Sequence, residues 1–230
     1  ALKRAKRRYE IIFVDDGSTD NSFKILQELL KNNKSLAVIK FQRNFGKSAA
    51  LNAGFSQANG DIIITMDADL QNDPADIPMF LKKIDEGFAL VNGWRFKRKD
   101  PFLSKLVPSY ISNWLARKLI GLNLHDYVCP FKAYKKEVIK TIKLYGEMHR
   151  YIPAFVFMSG FPVAEIKISH RARMFGKTKY NFTRLLKGFL DLIYIKFWMT
   201  YRTRPSHFFG LLGFLQYLFS IAIFVEQIAK

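Results

Sequence analysis

Residues 61–74 read DIIITMDADLQNDP. The run Ile62-Ile63-Ile64 is short, β-branched and apolar at consecutive positions, as in a strand buried on both faces. Three acids, Asp67, Asp69 and Asp73, crowd in directly after it, in a chain that is otherwise strongly basic. Asp73-Pro74 predicts a helix over 74–86, because Asp caps the free N–H groups of a first turn and proline has the φ that the first helical position needs. A buried strand, an acidic turn and a capped helix in that order form one unit of an α/β fold.

The same alternation extends in both directions. EIIFV (10–14) predicts a strand, DDGSTD (15–20) a turn, and SFKILQELLKN (22–32) a helix by its apolar spacing. LAVIKF (36–41) is a second strand, GKSAALNAGFSQA (46–58) a helix stopped by Asn59-Gly60, and FALVNG (88–93) the strand after DIIITM (61–66). Strands and helices joined by short connections predict a parallel sheet covered on both faces, with ligands bound beyond the carboxyl ends of the strands. Asp15, Asp16, Arg43, Asn44, Asp67, Asp69 and Arg95 all fall just past strand ends and are expected to converge on one crevice.

Asp67 and Asp69, two residues apart at a strand end, can turn both carboxylates toward one hard cation, and Gln71 adds a carbonyl oxygen at the same spacing. Such an ion, held by few protein ligands, completes its shell with water and phosphate oxygens. The plainer alternative is an Asp-rich turn; the second acidic strand end at Asp15-Asp16 favours the site. Gly46-Lys47-Ser48 is not the tail of a P-loop, since the motif needs a glycine where Phe41 stands. It fits instead a helix N-terminus beside a phosphate-bearing ligand.

The 230 residues carry 37 Lys+Arg against 19 Asp+Glu, a net charge of +18, which calls for a polyanionic partner: nucleic acid, anionic headgroups or phosphorylated substrates. The single cysteine, Cys129, excludes a disulfide framework and a cysteine-rich metal site, and is read as a core residue. The basic start ALKRAKRRYE lacks the apolar stretch of a signal peptide. SHFFGLLGFLQYLFSIAIFV (206–225) holds no Lys, Arg, Asp or Glu and is long enough to cross a bilayer, a buried core helix being the alternative. The preceding 181–205 stretch, with Lys187, Lys196, Arg202 and Arg204 among apolar residues, predicts a helix lying in the membrane interface, and its cations place the N-terminal domain on the cytoplasmic side. Residues 95–122 mix basic and large apolar side chains, suiting a helix that packs on the sheet or one that meets headgroups. His125, His149, His170 and His207 lack metal-ligand spacing and are read as structural.

Taken together, VDDGSTDNS, RNFGKSAALNAG, MDADLQNDP, NGWR and HRARMFGKTKY resemble family 2 glycosyltransferases of the GT-A fold. They resemble more closely the polyprenyl-phosphate glycosyltransferase branch, that of dolichyl-phosphate mannose synthase and GtrB-like proteins. The resemblance implies an α/β, Rossmann-like, mostly parallel sheet with flanking helices over residues 1–180, a juxtamembrane amphipathic helix over 181–205 and a transmembrane helix over 206–226. It implies an inverting, membrane-bound enzyme of the inner or plasma membrane. Such an enzyme moves a sugar from a UDP- or GDP-linked donor to a polyprenyl or dolichyl phosphate, with Mg²⁺ or Mn²⁺ and without nucleic acid; a homo-oligomer is left open.

Residue by residue, the resemblance assigns Asp16 to the nucleoside, and Asp67, Asp69 and Gln71 to the metal and pyrophosphate. It sets Asp15, Lys47 and Ala68 in the donor pocket, and Arg95 near the donor diphosphate and acceptor phosphate. Arg171, Arg173, Lys177 and Thr178 fall in a loop closing over the phosphates, and Asp69, Arg95 and Arg173 carry the catalytic weight. The family pattern also includes a strand ahead of EIIFV and more than one membrane helix, which this sequence does not contain, and often a glycine where Pro130 stands, which weakens Asp126 as a substrate contact. Two other readings compete. A processive polysaccharide synthase would need a Gln-x-x-Arg-Trp motif, which is absent from the sequence. A non-catalytic basic adaptor would explain the charge but not the acids at strand ends.

Overall fold

The computed structural model describes residues 7–96, 107–171 and 183–229. It divides into two compact units, Ala1–Phe182 and Thr183–Lys230.

In the first unit the alternation foreseen along 10–95 is present: β1 (Ile11–Asp15), α1 (Ser22–Lys31), β2 (Leu36–Lys40), α2 (Lys47–Gln57), β3 (Ile62–Thr65), α3 (Ile77–Asp85) and β4 (Leu90–Arg95). The expected cap is there too. The Asp73 carboxylate accepts the Ala75 N–H at 3.0 Å, and a single 3₁₀ turn, Pro74–Asp76, leads into α3. Beyond β4 come α4 (Val107–Ile120), β5 (Lys132–Lys135), α5 (Lys136–Thr141), a 3₁₀ turn at Met148–Tyr151, α6 (Ile152–Met158) and β6 (Val163–Ile168).

The sheet departs from a single parallel array. β1 and β2 pair in parallel as one piece, and the other piece has the order β3-β5-β4-β6. β4 and β6 are parallel, whereas β5 runs antiparallel to both of its neighbours. β3 and β4 therefore keep the common direction expected of them, but β5 lies between them. The sequence hides this strand because it is four residues long and three of those are polar or basic in type, so it lacks the apolar run that marks a central strand. What makes it central is its flanks. Phe131 and Ala133 face α3, where they pack with Ile77, Phe80, Ile84, Val91, Cys129 and Ile168, and the Phe80 and Phe131 rings lie 4.4 Å apart.

β1 and β3 share no ladder, and helix α2 links the two pieces. It packs on β1 through Gly54, next to Val14, and reaches β5 through Phe55, whose ring meets Tyr134 edge-on at 5.5 Å. The Glu10 carboxylate accepts the N–H groups of Asn59 (2.6 Å) and Gly60 (3.1 Å), tying the start of β1 to the loop that feeds β3. These donors, above all the Asn59 N–H, hold its carboxyl below the usual range.

In the second unit, α7 (Thr183–Tyr201) and α8 (Pro205–Ile228) meet through Phe197, whose ring contacts Tyr201, Phe208 and Phe209. α8 has 24 residues, a mean hydropathy of 2.1 over its most apolar window, and no buried residue. At 1.5 Å per residue it is about 36 Å long, enough to cross a hydrocarbon core of about 30 Å. Among the described residues it is the one helix with that length and composition.

Gly17 brings the turn after β1 against the turn after β2. Its φ is +72°, and a Cβ there would lie 2.4 Å from the Arg43 carbonyl carbon. Gly121 has a similar φ of +79° with nothing within 4 Å of its hypothetical Cβ. Gly17→Ala is therefore expected to cost about 2–4 kcal/mol in urea unfolding, and clearly more than Gly121→Ala, which carries only the backbone strain. Equal losses would mean that the close approach is not a constraint.

Candidate active site

The turns after β1 and β2 are joined by Asp16. Its carboxylate accepts the Phe45 N–H at 2.7 Å and the Gly46 N–H at 3.0 Å, and the Asn44 amide donates to its carbonyl oxygen at 3.3 Å. An anion at this point also favours the start of α2, where free N–H groups carry partial positive charge. Both Asp16 side-chain oxygens are thus engaged within the protein. Asp15 differs: it is 5 % exposed, its Oδ1 accepts the Ser18 N–H at 3.0 Å, and its Oδ2 has no partner among the described residues.

The next residue of α2 reaches the acidic loop. Lys47 Nζ donates to both oxygens of Asp67, at 2.6 and 2.8 Å. Past Asp67 and Ala68 the chain turns on Leu70, a non-glycine residue with φ +61°, and the Asp69 Oδ1 accepts the Gln71 N–H at 3.2 Å. A bulky residue in the left-handed region is strained, and such strain concentrates at ligand sites. The loop is fastened from outside by the segment after β6. Arg171 N–H donates to the Gln71 carbonyl at 2.8 Å, Asn72 and His170 form an isolated antiparallel bridge, and the Arg171 guanidinium pairs with Asp73. Asp15, Asp16, Lys47, Asp67, Asp69, Gln71 and Arg171 thus lie on connected turns. Arg173, Lys177 and Thr178 lie outside the described residues.

Arg95 ends β4, which β5 separates from β3. Its guanidinium donates to both oxygens of Asp126, Nε at 2.6 Å and Nη2 at 2.9 Å, and the pair is largely buried. Asp126, discounted on the sequence because of Pro130, is the counter-ion that fixes the Arg95 fork. Glu165 anchors the same corner by accepting the His125 and Asp126 N–H groups. His125 also stacks on Trp94 with the ring centroids 3.9 Å apart.

Two further residues belong here that the sequence did not single out for function. Lys132, on β5, is paired in register with Thr65 of β3 and Asn92 of β4, and is only 2 % exposed. Its ammonium donates to the Cys129 carbonyl, a neutral group. Burial pulls its pKa down to about 8, against the smaller opposing influence of Cys129 and Asp126, with Lys47 and Arg95 as like-charged neighbours. Lys132 is thus a buried cation among charges of both signs. Only its central position reveals this, since FKAYKK reads as an ordinary basic edge. His149 Nδ1 lies 3.0 Å from the Ser48 hydroxyl. Burial, followed by Lys47, Arg150 and Lys132, pushes its pKa down to about 3, so it is neutral at physiological pH. Cys129 is in the core as expected, its thiol pushed up to about 11 by burial.

A cation already sits on Asp67, in the form of the Lys47 ammonium, so this corner is built to hold positive charge against carboxylate. Asp67, Asp69 and Gln71 supply only oxygen donors, the set that hard ions such as Mg²⁺ and Mn²⁺ take. The residues present therefore fit such an ion, and the surrounding cations fit phosphate.

Comparison with known proteins places the chain in a family. The family model described as Glycosyl transferase family 2 matches residues 1–143. The chain is 42 % identical over 217 residues to dodecaprenyl-phosphate galacturonate synthase of Rhizobium johnstonii, covering 93 % of this chain and 64 % of that protein. It is 37 % identical over 195 residues to undecaprenyl-phosphate 4-deoxy-4-formamido-L-arabinose transferase of Proteus mirabilis, covering 84 % and 59 %. The chain thus spans about three fifths of the length of these relatives. Among solved structures, glucosyl-3-phosphoglycerate synthase from Mycobacterium tuberculosis in complex with Mn²⁺, UDP and glucosyl-3-phosphoglycerate shares the fold. Its TM-score is 0.61 at 18 % identity, over 81 % of this chain and 68 % of that one.

Lys132→Met keeps the aliphatic stem and deletes the buried charge. It is expected to raise the unfolding free energy by roughly 1–3 kcal/mol, seen as a higher Tm near pH 7. A lower Tm would show that the charge is structurally required. His149 gives a pH signature of the opposite kind. Its folded pKa lies below the 6.5 of the free side chain, so the unfolded chain takes up the proton first. As pH falls from 6.5 toward 3, stability should fall by at most about 1.4 kcal/mol per unit from this group. The Tm of His149→Gln should fall less steeply across that window than that of the wild type.

Proposed function

The chain belongs to glycosyl transferase family 2, and on that premise we propose that it transfers one sugar from a nucleotide-sugar to a polyprenyl phosphate, giving a lipid-linked monosaccharide. The observation that carries this reading is the oxygen-donor loop Asp67–Gln71 held by Lys47 and Arg171 in a chain that also holds a helix long and apolar enough to cross a membrane. The two polyprenyl-phosphate transferases at 42 % and 37 % identity support the acceptor class. In this reading α8 anchors the protein in the inner or plasma membrane, with the catalytic unit on the cytoplasmic side, where the juxtamembrane cations Arg202 and Arg204 favour it.

Asp67, Asp69 and Gln71 would hold Mg²⁺ or Mn²⁺, which when bound neutralises the donor diphosphate as a leaving group. The chain's own residues have a definable task. A phosphate acceptor is already an anion, so no side chain is needed to remove a proton from it. One of its oxygens attacks the anomeric carbon in line, the bond from that carbon to the diphosphate oxygen breaks, and the nucleoside diphosphate leaves with inversion. The difficulty is to hold two anions together, and positive groups fixed in advance reduce their repulsion. Lys47 and Arg171 stand at the acidic loop for this need, Arg95 is oriented by Asp126, and Arg173, Lys177 and Thr178 follow Arg171 in the sequence. For the nucleoside we keep Asp16, whose two carboxylate oxygens each accept one backbone N–H and retain a further lone pair, while the buried Asp15 supports the same turn.

The test is binding of UDP- and GDP-sugars with and without Mn²⁺, followed by transfer of label to polyprenyl phosphate. Asp69→Asn is expected to lose about tenfold or more of the metal-dependent part of donor affinity, because it removes an anionic ligand of a hard cation. The same metal dependence in both proteins would overturn the assignment of the acidic loop.

A further inference from the structure

Lys47 contacts Asp67 in a way that a bound metal ion could not leave undisturbed. Its ammonium lies 2.6 and 2.8 Å from the two carboxylate oxygens, so it occupies the mouth of the carboxylate that an incoming ion must use. Bonds from Mg²⁺ or Mn²⁺ to carboxylate are about 2.0–2.2 Å, so an ion seated between the same two oxygens would lie nearly in contact with the ammonium. In that position the two cations exclude one another. The side chains are 37 % and 38 % exposed, so the ion pair is a weak, solvent-screened one and the lysine can be displaced. Lys132 already stands as a like-charged neighbour, and what would draw Lys47 away is a new anion.

We propose that Lys47 is the resident counter-cation of Asp67 and exchanges for the metal only when a diphosphate arrives with it, the ammonium moving from the carboxylate to the diphosphate. This rests on the metal assignment above and extends it to the order of binding. Metal alone meets a site already neutralised by lysine and binds weakly. A nucleoside diphosphate supplies both further metal ligands and a new partner for Lys47, so the two ligands bind as a cooperative pair. The position of Lys47 in the first turn of α2 suits the movement: the backbone is fixed by the helix and by Asp16, while the four-carbon stem is free to swing.

The experiment is Mn²⁺ binding to the full chain in detergent micelles, read by electron paramagnetic resonance of free Mn²⁺, without nucleotide and with saturating UDP or GDP. In the wild type, affinity for Mn²⁺ alone should be low and rise with nucleoside diphosphate. Lys47→Met should bind Mn²⁺ alone about fivefold or more tightly than wild type, and the gain from nucleotide should shrink by a similar factor, since coupling is reciprocal. Lys47→Arg, which keeps the charge, should restore weak binding of metal alone, and melting curves of both variants confirm folding. Unchanged or weaker binding of Mn²⁺ alone to a folded Lys47→Met would overturn the exchange. If neither protein binds Mn²⁺ even with nucleotide, the metal assignment itself falls, and the exchange with it.

Discussion

Carboxylates collected at the ends of strands repel one another, and this structure is arranged around cations brought to them from elsewhere in the chain. Asp67 is met by Lys47 from α2, Asp73 by Arg171 from beyond β6, and Asp126 by Arg95 from the end of β4. Each pair spans a gap that hydrogen-bonded ladders leave open. Lys47–Asp67 crosses between the β1–β2 and β3–β5–β4–β6 pieces, which share no strand pairing. The more exposed pairs, at Asp67 and Asp73, add little to stability, so their value lies in where they hold the loops, whereas Arg95–Asp126 is largely buried.

The buried counterpart is Lys132. A cation in the middle of a sheet is unfavourable unless it serves something, and here a carbonyl is its partner in place of a carboxylate. The antiparallel insertion of β5 is what places it there, with Phe131 and Ala133 buried on the opposite face against α3. The same strand sets the spacing between Arg95 and the acidic loop. Packing and electrostatics are thus coupled: the residues that fill the core on one side of β5 fix the position of a charge on the other.

Backbone geometry adds a second layer of preorganisation. Gly17 lets the turns after β1 and β2 approach to within van der Waals limits, and Asp16 then locks the start of α2. Leu70 in the left-handed region reverses the chain between Asp69 and Gln71. Anion-binding sites formed in advance avoid reorganising at the moment of reaction, which matters when both reactants are negatively charged.

The sequence by itself determined the strand–helix order from β1 to β4, the Asp73 cap, the acidic turn at the end of β3 and the apolar helix, expected over 206–226 and found over 205–228. These follow from periodicity, capping and turn chemistry, which depend on residues close together in the chain. The tertiary structure decided the rest. The counter-ion of Arg95 is 31 residues away, the hydroxyl beside His149 is 101 residues away, and the strand carrying Lys132 becomes central only because β3 and β4 both pair with it. No local pattern encodes those choices. They are settled by which apolar faces bury together, and the charges are carried to their partners by that packing.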